Sequence, residues 1–173
     1  MEQRVIGPPG CGKTTWLSRQ VKRAVDDNQG VLVASLTRAA AEEAAGRNLP
    51  IPPRQVGTLH AHCYQSLGRP SLAVERTHIE DWNDRYPKWM LSFSNDRIDG
   101  DNMESSGQSP GDKLMASYQV LRARMATVYP IHIDDLAVAW EMWKADVGLL
   151  DFTDLIEQCL ETVPTAPGNP SVI

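Results

Sequence analysis

No stretch of about 18 consecutive apolar residues, the least that crosses a bilayer as a helix, occurs among the 173 residues of the chain. The opening MEQRVIGPPG lacks the apolar centre of a secretory signal. Cysteine is scarce: Cys11, Cys63 and Cys159 are odd in number, far apart and form no C-x-x-C pair, so neither a disulfide framework nor a zinc knuckle is expected. These absences lead to the expectation of a soluble cytoplasmic protein in a reducing compartment, with no membrane partner. Positive charge is also short. A formal net charge of -5 is a poor balance for a polyanionic partner, whose phosphates need lysine and arginine. The deficit is uneven, however. Residues 1–71 hold nine Lys and Arg against five Asp and Glu, whereas residues 72–173 hold eight against seventeen. Any phosphate-binding surface is therefore expected in the first 71 residues, the acidic remainder serving as solvated exterior. The length suits one domain, or one domain carrying an insertion.

What is present begins with alternation. Gln3 to Ile6 reads as a strand, followed by a glycine-rich turn and a helix from about Lys13 to Asp27, with Trp16, Leu17, Val21, Ala24 and Val25 at helical spacing. Asn28-Gln29-Gly30 is a turn, Val31 to Ser35 a short β-branched run of the kind buried in parallel sheets, and Arg38 to Arg47 an alanine-rich helix. The order βαβα belongs to the α/β class. Pro50, Pro52 and Pro53 interrupt the chain before an extended piece at Gln55-Val56 and a helix from Thr58 to Ser66. Beyond Gly68 and Pro70 the character changes. Trp82, Trp89, Trp140 and Trp143 fall among helical patterns near 78–90, 112–127 and 133–147, and a further helix is expected at Leu149 to Val163. Residues 92–112, dense in Ser, Gly, Asp and Asn, read as a flexible loop. Pro164 to Pro170 reads as a proline-rich turn leading into Ser171-Val172-Ile173, the opening of another strand.

Gly7-Pro8-Pro9-Gly10-Cys11-Gly12-Lys13-Thr14 satisfies G-x-x-x-x-G-K-[ST], set between an expected strand and an expected helix. Glycines let the backbone curl so that successive N–H groups converge on phosphate oxygens, and the helix N-terminus adds a favourable dipole. In this motif Lys13 reaches the β and γ phosphates, and Thr14 offers a hydroxyl to Mg²⁺. These two are the candidate catalytic residues, with Thr15 completing the phosphate-binding set. A strand-to-helix turn that needed glycine only for its geometry would leave Lys13 and Thr14 unexplained. A dinucleotide fingerprint fits less well, because no third glycine follows Gly10-Cys11-Gly12. The Asn-Lys-x-Asp element of a guanine-specific site is absent from the sequence.

A phosphate loop alone does not separate kinases, transport ATPases and helicases, so later segments decide. Val33 to Glu43 (VASLTRAAAEE) resembles the TFTNxAAxE motif of UvrD/Rep-like superfamily 1 DNA helicases, at Thr37, Ala40, Ala41 and Glu43. Val56 to Cys63 (VGTLHAHC) resembles their GTFHSxC segment at Gly57, Thr58, His60 and Cys63, and Asp151 to Ile156 (DFTDLI) resembles DFxDLL. The resemblance covers residues 1–69 and 148–173, and the remainder only loosely. It implies an incomplete P-loop NTPase (RecA-like) parallel-sheet core, formed by those two stretches, with a helical accessory insertion at 70–147. It further implies ATP with Mg²⁺ as cofactor, single-stranded DNA as partner, and Thr37, Arg38, Thr58 and His60 facing the DNA.

The departures from the family pattern carry expectations of their own. Leu36 and Leu59 stand where aromatics are common, and Arg38 stands in place of an asparagine. Only six residues precede Gly7, so the adenine-reading glutamine motif is missing. The Asp-Glu-x-x-Asp strand and the second motor domain with its arginine fingers are also missing, so the chain is expected to hold nucleotide without turning it over until another domain or chain supplies them. A small P-loop phosphotransferase with residues 72–147 as its lid, and a non-catalytic nucleotide-binding module that docks on a partner, are the alternatives.

Several tempting residues have plainer readings. His60 and His62 lie two apart on a helix, on opposing sides, and so do not share a metal ion. Asp96, Asp99, Asp101 and Glu104 fail the order of a calcium loop. The tryptophans of the insertion are expected to form its core rather than stack on bases. Asp151 and Asp154 are expected to cap a helix, with Phe152 and Leu155 buried.

Overall fold

The computed structural model describes residues 4–93, 109–167, 169–171 and 173. The chain is a mixture of helices and parallel strands, as its α/β pattern predicts, and divides into two compact units: residues 1–62 with 163–173, and residues 63–162. These boundaries differ from the 69/70 and 147/148 divisions read from the sequence.

In the first unit, helix α1 spans Lys13–Asp26 and buries Val21 and Ala24. Its end is closed by Asn28 at φ 58, with Asn28 N donating to Val25 O at 2.9 Å and Gln29 N to Ala24 O at 2.8 Å. That is the left-handed closure that satisfies last-turn carbonyls, and asparagine tolerates it better than most residues. Strand β1 (Val33–Ser35) pairs in parallel with β2 (Val56–Thr58), in the register Val33 to Val56 and Ser35 to Thr58. Helix α2 (Arg38–Ala45) makes the crossover and buries Ala41 and Ala44. Val21, Ala24, Val31, Val33 and Ala44 form the core, which binds α1 and α2 to this small sheet.

The strand expected at Gln3 to Ile6 is not seen. Gln3 lies outside the described residues, and Arg4–Ile6 join no strand, with Ile6 92% exposed. A parallel strand is fixed by hydrogen-bonding neighbours and by burial on both faces. Among the described residues the two-stranded sheet is β1 with β2, and Arg4–Ile6 are exposed. At the other end, Ser171 N donates to Gly30 O at 2.9 Å, and a Cβ on Gly30 would lie 3.2 Å from Pro170 Cα, so this stretch returns against the residues before β1. Ser171 and Ile173 are not in a strand, and Val172 lies outside the described residues.

Helix α3 (Leu59–Ser66) begins in the first unit and ends in the second. The second unit then holds α4 (Arg76–Arg85), a short turn of helix at Pro87–Trp89, α5 (Pro110–Ala123), α6 (Ile131–Val147) and α7 (Phe152–Thr162). Its core is aromatic, as expected. Trp82 stacks on Tyr86 with ring centroids 4.3 Å apart and meets Trp140 and Trp143 edge-on at 5.0 and 5.4 Å. Each indole N–H finds an acceptor: Trp82 donates to Trp89 O, Trp140 to Asp151 and Trp143 to Asp81. Buried tryptophan is stable when its one polar atom is bonded in this way.

The flexible loop expected at 92–112 is corrected at its end. Residues 94–108, which include the acidic residues weighed for calcium, lie outside the described residues, but helix α5 already starts at Pro110. Ser109 and Asp112 form a reciprocal capping box, and Asp112 also accepts from Ser92 N at 3.0 Å. Gly111 permits this closure. A Cβ there would fall 2.6 Å from Trp89 O and closer still to Met90 O.

Candidate functional site

The G-x-x-x-x-G-K-T segment forms a loop whose shape depends on its glycines. Gly10 and Gly12 adopt φ 77 and 86, a left-handed conformation that costs other residues about 1 kcal/mol or more. Nothing lies within 4 Å of the position a Cβ would take at either, so the space beside both is open. Gly7 sits close to the Cys11 side chain: a Cβ on it would lie 2.5 Å from Cys11 Sγ, which would have to turn away.

Gly12 is also the residue before α1. The helix opens with no side-chain cap and no acidic residue in its first turn, so its initial N–H groups and positive dipole end are not answered by a carboxylate of their own. Lys13, half-buried at the first position of the helix, folds back across the loop. Its ammonium donates to Gly7 O and Pro8 O, each at 2.7 Å, and lies 3.7 Å from Cys11 Sγ. Thr14 follows, half-buried, while Pro8, Pro9 and Thr15 are exposed. A cation held by two carbonyls beside amide donors is an arrangement that exchanges readily for phosphate oxygens. These residues fit a polyphosphate. For Mg²⁺ the loop offers one protein ligand, the Thr14 hydroxyl, and phosphates and water would complete an octahedral shell.

The residues expected to face DNA are brought together by the pairing of β1 with β2. Ser35 is in register with Thr58, so Thr37 and Arg38 on one side and Thr58 and His60 on the other leave the sheet at the same edge, the carboxyl ends of both strands. Ligands of open α/β sheets gather at that edge. Thr37 Oγ1 accepts from Ala40 N at 3.3 Å and Thr58 Oγ1 from Ala61 N at 3.1 Å, so each threonine caps the helix it precedes and keeps its hydroxyl proton for an outside acceptor. Arg38 is exposed and pairs with Glu42 at 3.1 Å, a surface ion pair worth under about 1 kcal/mol and easily surrendered.

His62, on the other side of the same helix, is structural. It is 4% exposed, and its Nε2 lies 3.1 Å from Val33 O, which fixes that nitrogen as the donor. A Cβ on Gly57 would lie 3.4 Å from the same ring, an ordinary contact distance. Cys63 is buried, and burial together with a hydrogen bond to Cys159 pushes its thiol up to about 12, so it is unreactive at neutral pH.

Asp151 and Asp154 belong to a buried charge cluster in the second unit, and here sequence reasoning found the acids but missed their cations. As expected, they cap α7: Asp151 Oδ1 accepts from Thr153 N and Asp154 N at 2.9 and 3.0 Å, and Asp154 Oδ2 accepts from Asp151 N at 2.8 Å. Leu155 is buried, while Phe152 is only half-buried. Beyond capping, Lys144, 2% exposed, donates to both carboxylates, and Arg122 reaches Asp151 at 3.1 Å and Asp154 at 2.8 Å. Burial would raise the Asp151 carboxyl, but Lys144 and then Arg122 outweigh it and hold it down to about 2. Burial likewise opposes the charge on Lys144, and the two aspartates override it. Glu141, Asp151 and Asp154 are the one group among the described residues with oxygens close enough for a metal ion. The charges that answer them are the ammonium and guanidinium already there. The available signal was Lys144 itself, a cation at a core-facing position between Trp143 and the end of α6.

Comparison with models of known protein families, with curated proteins and with solved structures gives no match. No helix among the described residues is long and apolar enough to cross a membrane.

Proposed function

We propose that the chain binds the triphosphate of ATP through Gly7 to Thr15, with Thr14 as the protein ligand of Mg²⁺, and that it forms the ATP-binding part of a single-stranded DNA translocase of the UvrD/Rep-like, RecA-like P-loop class. One observation carries the reading: a glycine-rich loop with two left-handed glycines opens an uncapped helix, and the lysine at its first position lies over the loop. The shared edge of Thr37, Arg38, Thr58 and His60 supports DNA as the second ligand.

In this reading turnover depends on another domain or chain. Among the described carboxylates of the first unit, Asp26 and Asp27 lie at the far end of α1, about 20 Å from the loop for a helix of this length, and Glu42 and Glu43 pair with Arg38 and Arg47. On this reading the base that orients the attacking water comes from another domain or chain. Binding of a fluorescent ATP analogue with Mg²⁺ tests the proposal, with Lys13→Ala as control. Charge-assisted bonds are worth roughly 1.5–3 kcal/mol, so affinity should fall about ten- to a hundredfold in a variant whose circular dichroism still matches that of the folded parent. Equal affinity in the variant would refute phosphate binding at this loop. Steady-state hydrolysis by the chain alone, abolished by the same substitution, would refute the dependence on a partner.

A further inference from the structure

Helix α6 is apolar on two opposite faces. One face, with Leu136, Trp140 and Trp143, lies in the aromatic core. At 100° per residue, Ile131, Val138 and Met142 fall in a single narrow stripe on the other side of the helix. All three are exposed, by 84%, 53% and 65%, and Val128, three residues before the helix, is exposed as well. Aligned exposed apolar side chains, unlike scattered ones, mark an interaction surface.

We infer that the outer face of α6 is a docking ridge for a basic amphipathic helix of a partner protein. The spacing of seven and four residues along the stripe is that of a helix seam, so a second helix laid along it can set its own apolar residues between these three. Charge selects the partner. Asp135, four residues after Ile131, stands within the stripe and Asp134 beside it, both exposed, and residues 72–173 carry seventeen acidic residues against eight basic ones. A second copy of the chain would bring acidic rim against acidic rim, and an anionic membrane surface would be repelled in the same way. A helix with lysine or arginine flanking an apolar seam meets both features.

The test is a selection from a displayed library of helical peptides on the full chain, with the winners re-measured as free peptides by fluorescence anisotropy. Selected peptides should carry net positive charge and apolar residues at i, i+4 and i+7. They should bind the Val138→Ser, Met142→Ser double variant at least tenfold more weakly, and the Asp134→Asn, Asp135→Asn variant with a shallower salt dependence. The substituted side chains are exposed, so both variants should keep the circular dichroism and melting temperature of the parent. The inference is overturned if no peptide is enriched, if the enriched peptides are neutral or acidic, or if they bind the double variant equally well. It is also overturned if the chain self-associates through this face, shown by dimerisation that the double variant loses, or if it binds anionic vesicles through the same residues.

Discussion

Lys144→Met replaces the buried ammonium with an apolar side chain of similar length and leaves two buried carboxylates facing the single guanidinium of Arg122. Breaking a buried pair by removing one partner costs about 3–5 kcal/mol, because the remaining charge is left in a poorly solvating site. For a chain of this size that corresponds to a fall in Tm of roughly 10 °C, with 2–4 °C for each kcal/mol. A second readout comes from pH. The Asp151 carboxyl is held at about 2 against an ordinary value of 3.8, so its native ion pairs contribute about 2 kcal/mol. The folded-state value is the lower one. The contribution is therefore complete above about pH 4 and is lost as pH falls through about 2. Without Lys144 its main opponent is gone, burial drives the carboxyl upward, and acid unfolding should begin at higher pH. Thermal melts followed by circular dichroism between pH 2 and 7 would show both effects. Adding Asp151→Asn to the variant should recover part of the loss, since it removes the stranded charge. If Lys144→Met melted within about 2 °C of the parent with its acid midpoint unmoved, the view of this cluster as a structural lock on α7 would be wrong.

Other substitutions test other parts of the structure. Gly111→Ala should destabilise by several kcal/mol, seen as a lower denaturation midpoint, because its Cβ would meet the carbonyls of Trp89 and Met90, which are backbone and have little room to move. Gly12→Ala should cost about 1–2 kcal/mol through its left-handed backbone and weaken nucleotide analogues, whereas a melt and a titration that both matched the parent would refute the strained-loop reading. Arg38→Ala should weaken single-stranded oligonucleotide binding and reduce the slope of log affinity against log salt by about 0.7, the value for one phosphate contact. An unchanged slope would remove Arg38 from the interface.

The glycine-rich turn before α1 was legible because its information is local. Two glycines, a lysine and a threonine at fixed spacing specify a curled backbone and a helix start within eight residues. The ends of α1 and α2 were readable for the same reason, since Asn28 closes one helix and the Thr37 side chain opens the other. The strand expected at Gln3 to Ile6 shows the limit. Its apolar residues satisfy the pattern, but whether a segment becomes a strand depends on neighbours far away in the chain, and Arg4–Ile6 lie in no strand. Phe152 was expected to be buried on periodicity alone and is only half covered, because α7 packs through Leu155 and the charged start of the helix.

By itself, then, the order of residues determined the glycine-rich loop that opens α1, the alternation of helices and strands, and the presence of a tryptophan-rich helical part. Only the tertiary structure decided that Thr37 and Thr58 leave one sheet edge together, that His62 serves Val33 O rather than a metal, and that Asp151 and Asp154 are answered by Arg122 and Lys144. The physical reason is range. Backbone conformation is set by the residue and its near neighbours, whereas the fate of a charge or a hydroxyl is set by the groups that folding brings within about 3 Å of it, and those lie up to 62 positions away.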